Sequence, residues 1–217
     1  MKQNKKFALE VGKYPEIYKR YLEKEILLVK TFIQGKKLVL DVGCGTGRVI
    51  PYLAPLVKKY IGIDVDKDCL KEAARYKKKY ENVDIQELDA NRLSKSFSKN
   101  KFDVTICLWS TIGCVQYPEK VMKQIFEVTK DSCLFSVMAK ETLETRKKYY
   151  ERLGIDYTID LKSETFYSPV WGESRAYSPE EIASLCKKAG FHIDKISLVE
   201  NLAYIVIAKK GEKDAKH

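Results

Sequence analysis

The sequence predicts an α/β fold, a three-layer α/β/α sandwich around a mainly parallel, seven-stranded sheet whose last strand is antiparallel. Three observations predict it. Short runs of β-branched and aliphatic residues alternate with amphipathic helical stretches, the pattern of a parallel sheet covered on both faces. The last two runs are joined by Glu200 and Asn201 alone, too short for a crossover, so those strands must be antiparallel. The first run ends in an aspartate followed by three alternating glycines, within KKLVLDVGCGTGRVI at residues 36–50.

The elements follow in order. Residues 1–35 form a helical segment with Tyr14, Tyr18 and Tyr21 at helical spacing, which marks a packing face. KLVLDV (37–42) is the first strand, YIGIDV (60–65) the second and VDIQEL (83–88) the third. FDVTICLW (102–109) and CLFSVMA (133–139) are the fourth and fifth. Between them, KDCLKEAARYKKKY (67–80) and PEKVMKQIFEVTK (118–130) have helical spacing with charged outer faces. SPEEIASLCKKAGF (178–191) carries a full set of helix-end signals: Ser178 as N-cap, Pro179 at the first position, acids in the first turn, Lys187 and Lys188 near the end, and Gly190 to close it. HIDKISLV (192–199) and LAYIVIAK (202–209) complete the sheet. Residues 141–177 fit neither layer and read as an insertion between the fifth strand and the last helix. No repeat or low-complexity linker divides the 217 residues, so the chain reads as a single domain.

Composition excludes several classes. No apolar run reaches the roughly 18 to 20 residues of a membrane span, and MKQNKKFALE is followed by no apolar stretch or cleavage site, so it does not read as a signal peptide. The six cysteines are scattered without a C-x-x-C pair and only His192 and His217 accompany them, which argues against a metal. The chain reads as cytoplasmic. Its net charge of +10 concentrates at the ends: residues 1–37 carry ten basic and four acidic residues, and 209–217 carry four and two. The insertion over 141–175 is near neutral, with six basic and seven acidic.

The glycine loop is the most informative stretch. A dinucleotide loop, G-x-G-x-x-G, would need a small residue where Arg48 stands, and a phosphate loop would need Gly-Lys-Ser/Thr. What remains is D-x-G-x-G-x-G. LDVGCGTGR closely resembles the signature of class I S-adenosylmethionine-dependent methyltransferases, of the small-molecule, UbiE-like type. The resemblance runs over roughly residues 36 to 208. It implies that Asp41, Gly43, Cys44, Gly45 and Gly47 surround the methionine and ribose parts of S-adenosylmethionine. It further implies that Asp64, next to Val65, binds the ribose hydroxyls. Asp89 would contact the adenine amino group, with Ala90 supplying a backbone amide, and Leu108 would close the fourth strand facing the sulfonium. Acceptors at strand ends suit a cationic ligand better than an anion.

The acceptor is less legible, because methyl transfer depends mainly on positioning and on exclusion of water. The N/D-P-P-Y motif of amino-methylating DNA enzymes is replaced by LWSTIGCV, and no Pro-Cys precedes a nucleophile, since Cys107 follows Ile106 and Cys114 follows Gly113. Candidates to line the acceptor pocket are Tyr14, Tyr18 and Tyr21 on the N-terminal segment, and Trp109, Ser110 and Thr111 after the fourth strand. Phe166, Tyr167, Trp171 and Arg175 in the insertion join them. The basic runs RYKKKY (75–80) and RKKYYERL (146–153) read as solvated helix faces. The expected activity is methyl transfer to a small molecule, with 141–177 as substrate cover and S-adenosylhomocysteine as product. The alternatives are a transfer or ribosomal RNA methyltransferase docked through the basic ends, and a non-catalytic module that only binds the cofactor.

Overall fold

The computed structural model describes residues 11–211. The outer parts of the basic chain ends, 1–10 and 212–217, lie outside that span.

The first helix, α1 (Glu16–Ile33), leads into β1 (Leu38–Val42). The short α2 (Ile50–Leu53) and β2 (Lys59–Asp64) follow, then α3 (Lys67–Ala73), α4 (Arg75–Lys79) and β3 (Val83–Glu87). After α5 (Leu93–Ser96) come β4 (Phe102–Cys107), α6 (Thr111–Cys114), α7 (Pro118–Val128) and β5 (Thr129–Ala139). The insertion contains α8 (Leu143–Arg152), β6 (Thr158–Asp160), β7 (Thr165–Ser168) and β8 (Gly172–Tyr177). The chain closes with α9 (Pro179–Ala189), β9 (Phe191–Val199) and β10 (Ala203–Lys210).

Strands β3, β2, β1, β4 and β5 lie side by side in parallel, and β10 pairs antiparallel with β5 and with β9. The Glu200–Asn201 turn places both residues at positive φ, 54° and 46°, the backbone that matches a two-residue hairpin to strand twist. Strand residues alternate between two buried clusters, one on each face. Val39, Val104, Ile106, Leu134 and Ile205 join α1 on one side. Leu40, Phe102, Phe135 and Val206 join α7 and α9 on the other. The α9 signals act as read: Ser178 Oγ accepts from the Glu181 N–H, Glu181 returns a carboxylate to the Ser178 N–H, and Gly190 ends the helix at φ 99°.

Three boundaries differ from the expectation. β5 begins at Thr129, inside the stretch read as helix. Its hydroxyl bonds both the Ile125 carbonyl, 2.7 Å, and the Thr105 hydroxyl on β4, 2.7 Å, so a β-branched residue switches the chain from helix to sheet. β4 stops at Cys107, because Trp109 and Ser110 turn into left-handed backbone. The sheet also has ten strands rather than seven, the insertion adding three.

Those added strands have a defined place. Met138 pairs with Ala203 of β10 and with Ala176 of β8; it can do so only by using both edges of β5. β4 ends opposite Phe135, so β8 enters the lane that β4 vacates and carries the antiparallel β6–β7–β8 sheet over the carboxyl ends of the parallel strands. Ligands of open α/β sheets bind at that end.

Candidate active site

The loop after β1 folds back over the end of β2. The N–H groups of Gly43 and Cys44 both donate to the Ile63 carbonyl, at 2.8 and 2.9 Å, and the Gly45 N–H donates to Asp64 Oδ2 at 2.8 Å. Asp64 Oδ1 accepts from the Asp66 N–H at 2.9 Å. A carboxylate has about four lone-pair positions, so Asp64 holds the loop and still offers two to a ligand. Gly43 needs its glycine most: φ is 75°, and a Cβ there would stand 2.5 Å from the Thr111 methyl.

Two clefts meet at this loop and share Gly43, Gly45 and Trp109. The larger, about 490 Å³, is lined by Asp64, Val65, Asp89 and Ala90 at one end and by Tyr18, Arg146, Tyr149, Tyr150, Trp171 and Ser174 at the other. The smaller, about 330 Å³, is lined by Asp41, Cys44, Arg48, Leu108 and Tyr14 among others. Both fall in the roughly 300 to 1,000 Å³ range of small-molecule pockets.

Asp41 is buried and accepts a hydrogen bond from the Tyr60 hydroxyl. Burial pushes its carboxyl up to about 7, against the opposing effect of that bond. Asp89 moves the other way, held below the usual carboxylate range by the Asn91 N–H, 2.9 Å from Oδ1.

Most sequence-predicted residues converge here, and some have structural duties. Nine of the ten residues expected at the cofactor line one cleft or both. The tenth, Gly47, faces away, with φ 78° and packing against Ile50 and Tyr76. Ser110 Oγ accepts from the Met138 N–H at 3.2 Å, and Thr111 Oγ1 donates to the Leu108 carbonyl at 2.8 Å, so both hydroxyls fasten the turn. Tyr21 is fully buried behind the site, Phe166 is buried against Tyr150, and Tyr167 points outward. Arg175 lines neither cleft. Its Nη2 pairs with Glu181 at 2.8 Å, because β8 alternation turns it toward α9.

The basic run 146–153 corrects the expectation. Arg146, Tyr149, Tyr150 and Leu153 are buried. Tyr18 stacks on Tyr149 with ring centroids 4.3 Å apart, Tyr150 on Phe166 at 4.9 Å, and Tyr14 on Trp109 at 5.8 Å. Edge contacts link the pairs into one aromatic wall from α1 to the insertion. The spacing i, i+3, i+4, i+7 was the available signal, masked by intervening lysines.

Glu25 was missed for the same reason. It sits on the buried stripe Tyr18, Tyr21, Leu22, Val29, Ile33 of α1 and is fully buried. Oε1 accepts from the Tyr21 hydroxyl (2.8 Å), the Trp109 N–H (3.0 Å) and the Ser136 hydroxyl (2.7 Å). Oε2 takes Arg48 Nη2 at 2.5 Å. One carboxylate thus joins α1 to the glycine loop, the β4 turn and β5. The Arg48 that spoils a dinucleotide loop is its partner.

Fold and site together define a Rossmann-like domain with two clefts of small-molecule size at the carboxyl ends of its strands. Residues 39–132 match the methyltransferase domain family. A relative in Invertebrate iridescent virus 6 is 35% identical over 89 residues, 40% of this chain; the match spans only 31% of that relative. The carboxy-S-adenosyl-L-methionine synthase of Nautilia profundicola is 26% identical over 207 residues, 88% of this chain and 86% of that one. Magnesium protoporphyrin IX methyltransferase of Synechocystis PCC 6803, solved with bound S-adenosylhomocysteine, superposes with a TM-score of 0.64 at 16% identity, covering 88% and 84% of the two chains. The glycine loop, Asp64 and Asp89 fall within the matched stretch, and the solved neighbour shares the fold of the chain.

Proposed function

We propose that this chain binds S-adenosylmethionine along the glycine loop and transfers its methyl group to a small molecule in the insertion end of the larger cleft. The observation that carries the reading is the Asp64 carboxylate, which fixes the Gly45 N–H and keeps acceptor capacity toward the cleft. Asp64, Asp66 and Asp89 give the opposite, glycine-loop end a concentration of negative charge, the complement of a ligand with a cationic centre and hydroxyl and amino donors.

When bound, S-adenosylmethionine supplies an electrophilic methyl carbon: the acceptor's lone pair bonds to it as its bond to sulfur breaks, and sulfur keeps the electron pair. The chain's own residues position and exclude. Trp109 borders both clefts, held by its N–H on Glu25 and by stacking on Tyr14. The aromatic wall of Tyr18, Tyr149 and Tyr150 displaces water on the acceptor side. A small acceptor is favoured because α8 and the β6–β8 sheet roof the cleft, leaving little room for a folded RNA. The Nautilia synthase and the protoporphyrin methyltransferase are both named for small molecules, which supports a small acceptor.

Calorimetric titration with S-adenosylmethionine and S-adenosylhomocysteine tests the cofactor. Asp64→Ala is expected to weaken binding by about tenfold or more, roughly 1.4 kcal/mol. No binding to folded wild type would overturn the reading. Labelled methyl transferred to an RNA fraction but to no metabolite fraction would overturn the small acceptor.

A further inference from the structure

We propose that the methyl acceptor is a small monocarboxylic acid, its carboxylate seated at Arg146 and Trp171. This rests on the reading of the cleft as a methyl-transfer site and adds the chemical class of the acceptor.

Arg146 is 1% exposed, yet it lines the larger cleft and is the single basic side chain among the described residues that do so. Its Nη1 donates to the Glu164 carbonyl at 2.7 Å; Nη2 donates to the Ser174 carbonyl and, at 3.2 Å, to the Ser174 hydroxyl. The guanidinium lies over the Phe166 ring, 4.3 Å from its centroid. These partners hold the group in place, but none carries a charge. No carboxylate of a described residue makes an ion pair with it. An uncompensated buried cation is costly, by several kcal/mol, and at most three of its five N–H groups are engaged.

A second donor belongs to the same end of the cleft. Trp171 Nε1 is buried without a hydrogen-bond partner and Trp171 lines the same cleft. Tyr18, Tyr150 and Ser174 add hydroxyls to this end. The carboxylates of the cleft stand at the other end, on the loops after β2 and β3, whereas Arg146 and Trp171 belong to the insertion beside β5. β2 and β5 are three strand spacings apart, about 14 Å. The cleft is therefore polarised, acidic where a cation binds and donor-rich where the acceptor lies.

One buried cation balances one negative charge. A dianionic phosphate would leave a charge uncompensated in a cleft that already holds three carboxylates. A planar carboxylate matches the guanidinium fork, and the flanking rings favour a flat apolar body attached to it.

The test uses the full chain saturated with S-adenosylhomocysteine and titrated with benzoate, phenylacetate, cinnamate and hexanoate, each beside its neutral amide. At least one acid is expected to bind tenfold or more tighter than its amide. Arg146→Gln should abolish the preference, and Trp171→Phe, which keeps a ring but deletes the N–H, should reduce it several-fold. Should Arg146→Gln fail to fold by circular dichroism, Arg146→Lys and Trp171→Phe carry the comparison. Equal binding of every acid and its amide, or a preference that survives these substitutions, overturns the assignment while leaving the cofactor reading intact. Failure of S-adenosylhomocysteine to bind the folded protein overturns the cofactor reading, and this assignment with it.

Discussion

Removing the Glu25 side chain should cost this protein more than any other single change on its surface-facing helices. Glu25→Ala deletes the acceptor for four donors at once and leaves the Arg48 cation, itself only 25% exposed, without its partner. Breaking a buried ion pair from one side costs about 3 to 5 kcal/mol. The Trp109 N–H and the Tyr21 and Ser136 hydroxyls each lose an acceptor, at about 1 kcal/mol or more where water cannot replace it. Relaxation makes these costs overlap, so about 5 kcal/mol is the working figure, against a total stability of about 5 to 15 kcal/mol for a typical domain. Glu25→Gln separates the contributions. It preserves an oxygen for the three donors at Oε1 but turns an amide toward Arg48, and should recover a kilocalorie or two. Urea unfolding followed by circular dichroism measures all of this, with Arg48→Met and the double variant closing a cycle. The two single losses should be strongly non-additive. A Glu25→Ala variant within about 0.5 kcal/mol of wild type, the range of an ordinary surface change, would refute the claim that one carboxylate ties the site together.

Two further predictions concern the glycine loop and its aspartate. Asp41 is raised from 3.8 to about 7 by burial, so between those values the folded chain holds a proton that the unfolded chain has released. Stability should therefore fall as pH rises through that window and level off above it, by up to about 4 kcal/mol for this one group. Asp41→Asn, which still accepts from Tyr60, should flatten the slope in urea titrations across that range; an unchanged slope would sink the assignment. Gly43→Ala combines a φ of 75° with a Cβ 2.5 Å from Thr111, whereas Gly45→Ala meets φ 53° and open space. The first should destabilise by about 2 kcal/mol or more and the second by about 1 kcal/mol, with Thr111→Ala partly rescuing only the first. Equal melting temperatures for the two alanine variants would contradict the packing described.

The glycine-loop end of the clefts was readable because its residues sit in consecutive stretches of sequence. Asp41 to Gly47 and the Asp64 strand end are local patterns, and the register of β1 against β2, with Asp41 opposite Gly62, brings them together without long-range accidents. The insertion end was not, because its residues meet only through tertiary contacts. Arg146 and Glu25 lie in lysine- and glutamate-rich stretches where charge suggests solvent, and only their phase relative to the buried stripe reveals otherwise. Arg175 failed for the opposite reason: its place in the insertion suggested the shared pocket, but its β8 neighbour Ser174 faces the cleft and alternation turns Arg175 to the other side, toward Glu181.

The insertion's attachment has a consequence for access to the cleft. Since β8 is hydrogen-bonded into the lane beyond β4, and the Lys140 N–H donates to the Tyr177 carbonyl at 3.0 Å, the roof is welded to the frame and cannot swing on a hinge without breaking sheet. Helix α1 is fastened by side chains alone: Glu25 inside, and Arg20 and Lys24 on Glu200 of the distant hairpin. The larger cleft is thus bounded by hydrogen-bonded sheet on one side and by side chains of α1 on the other.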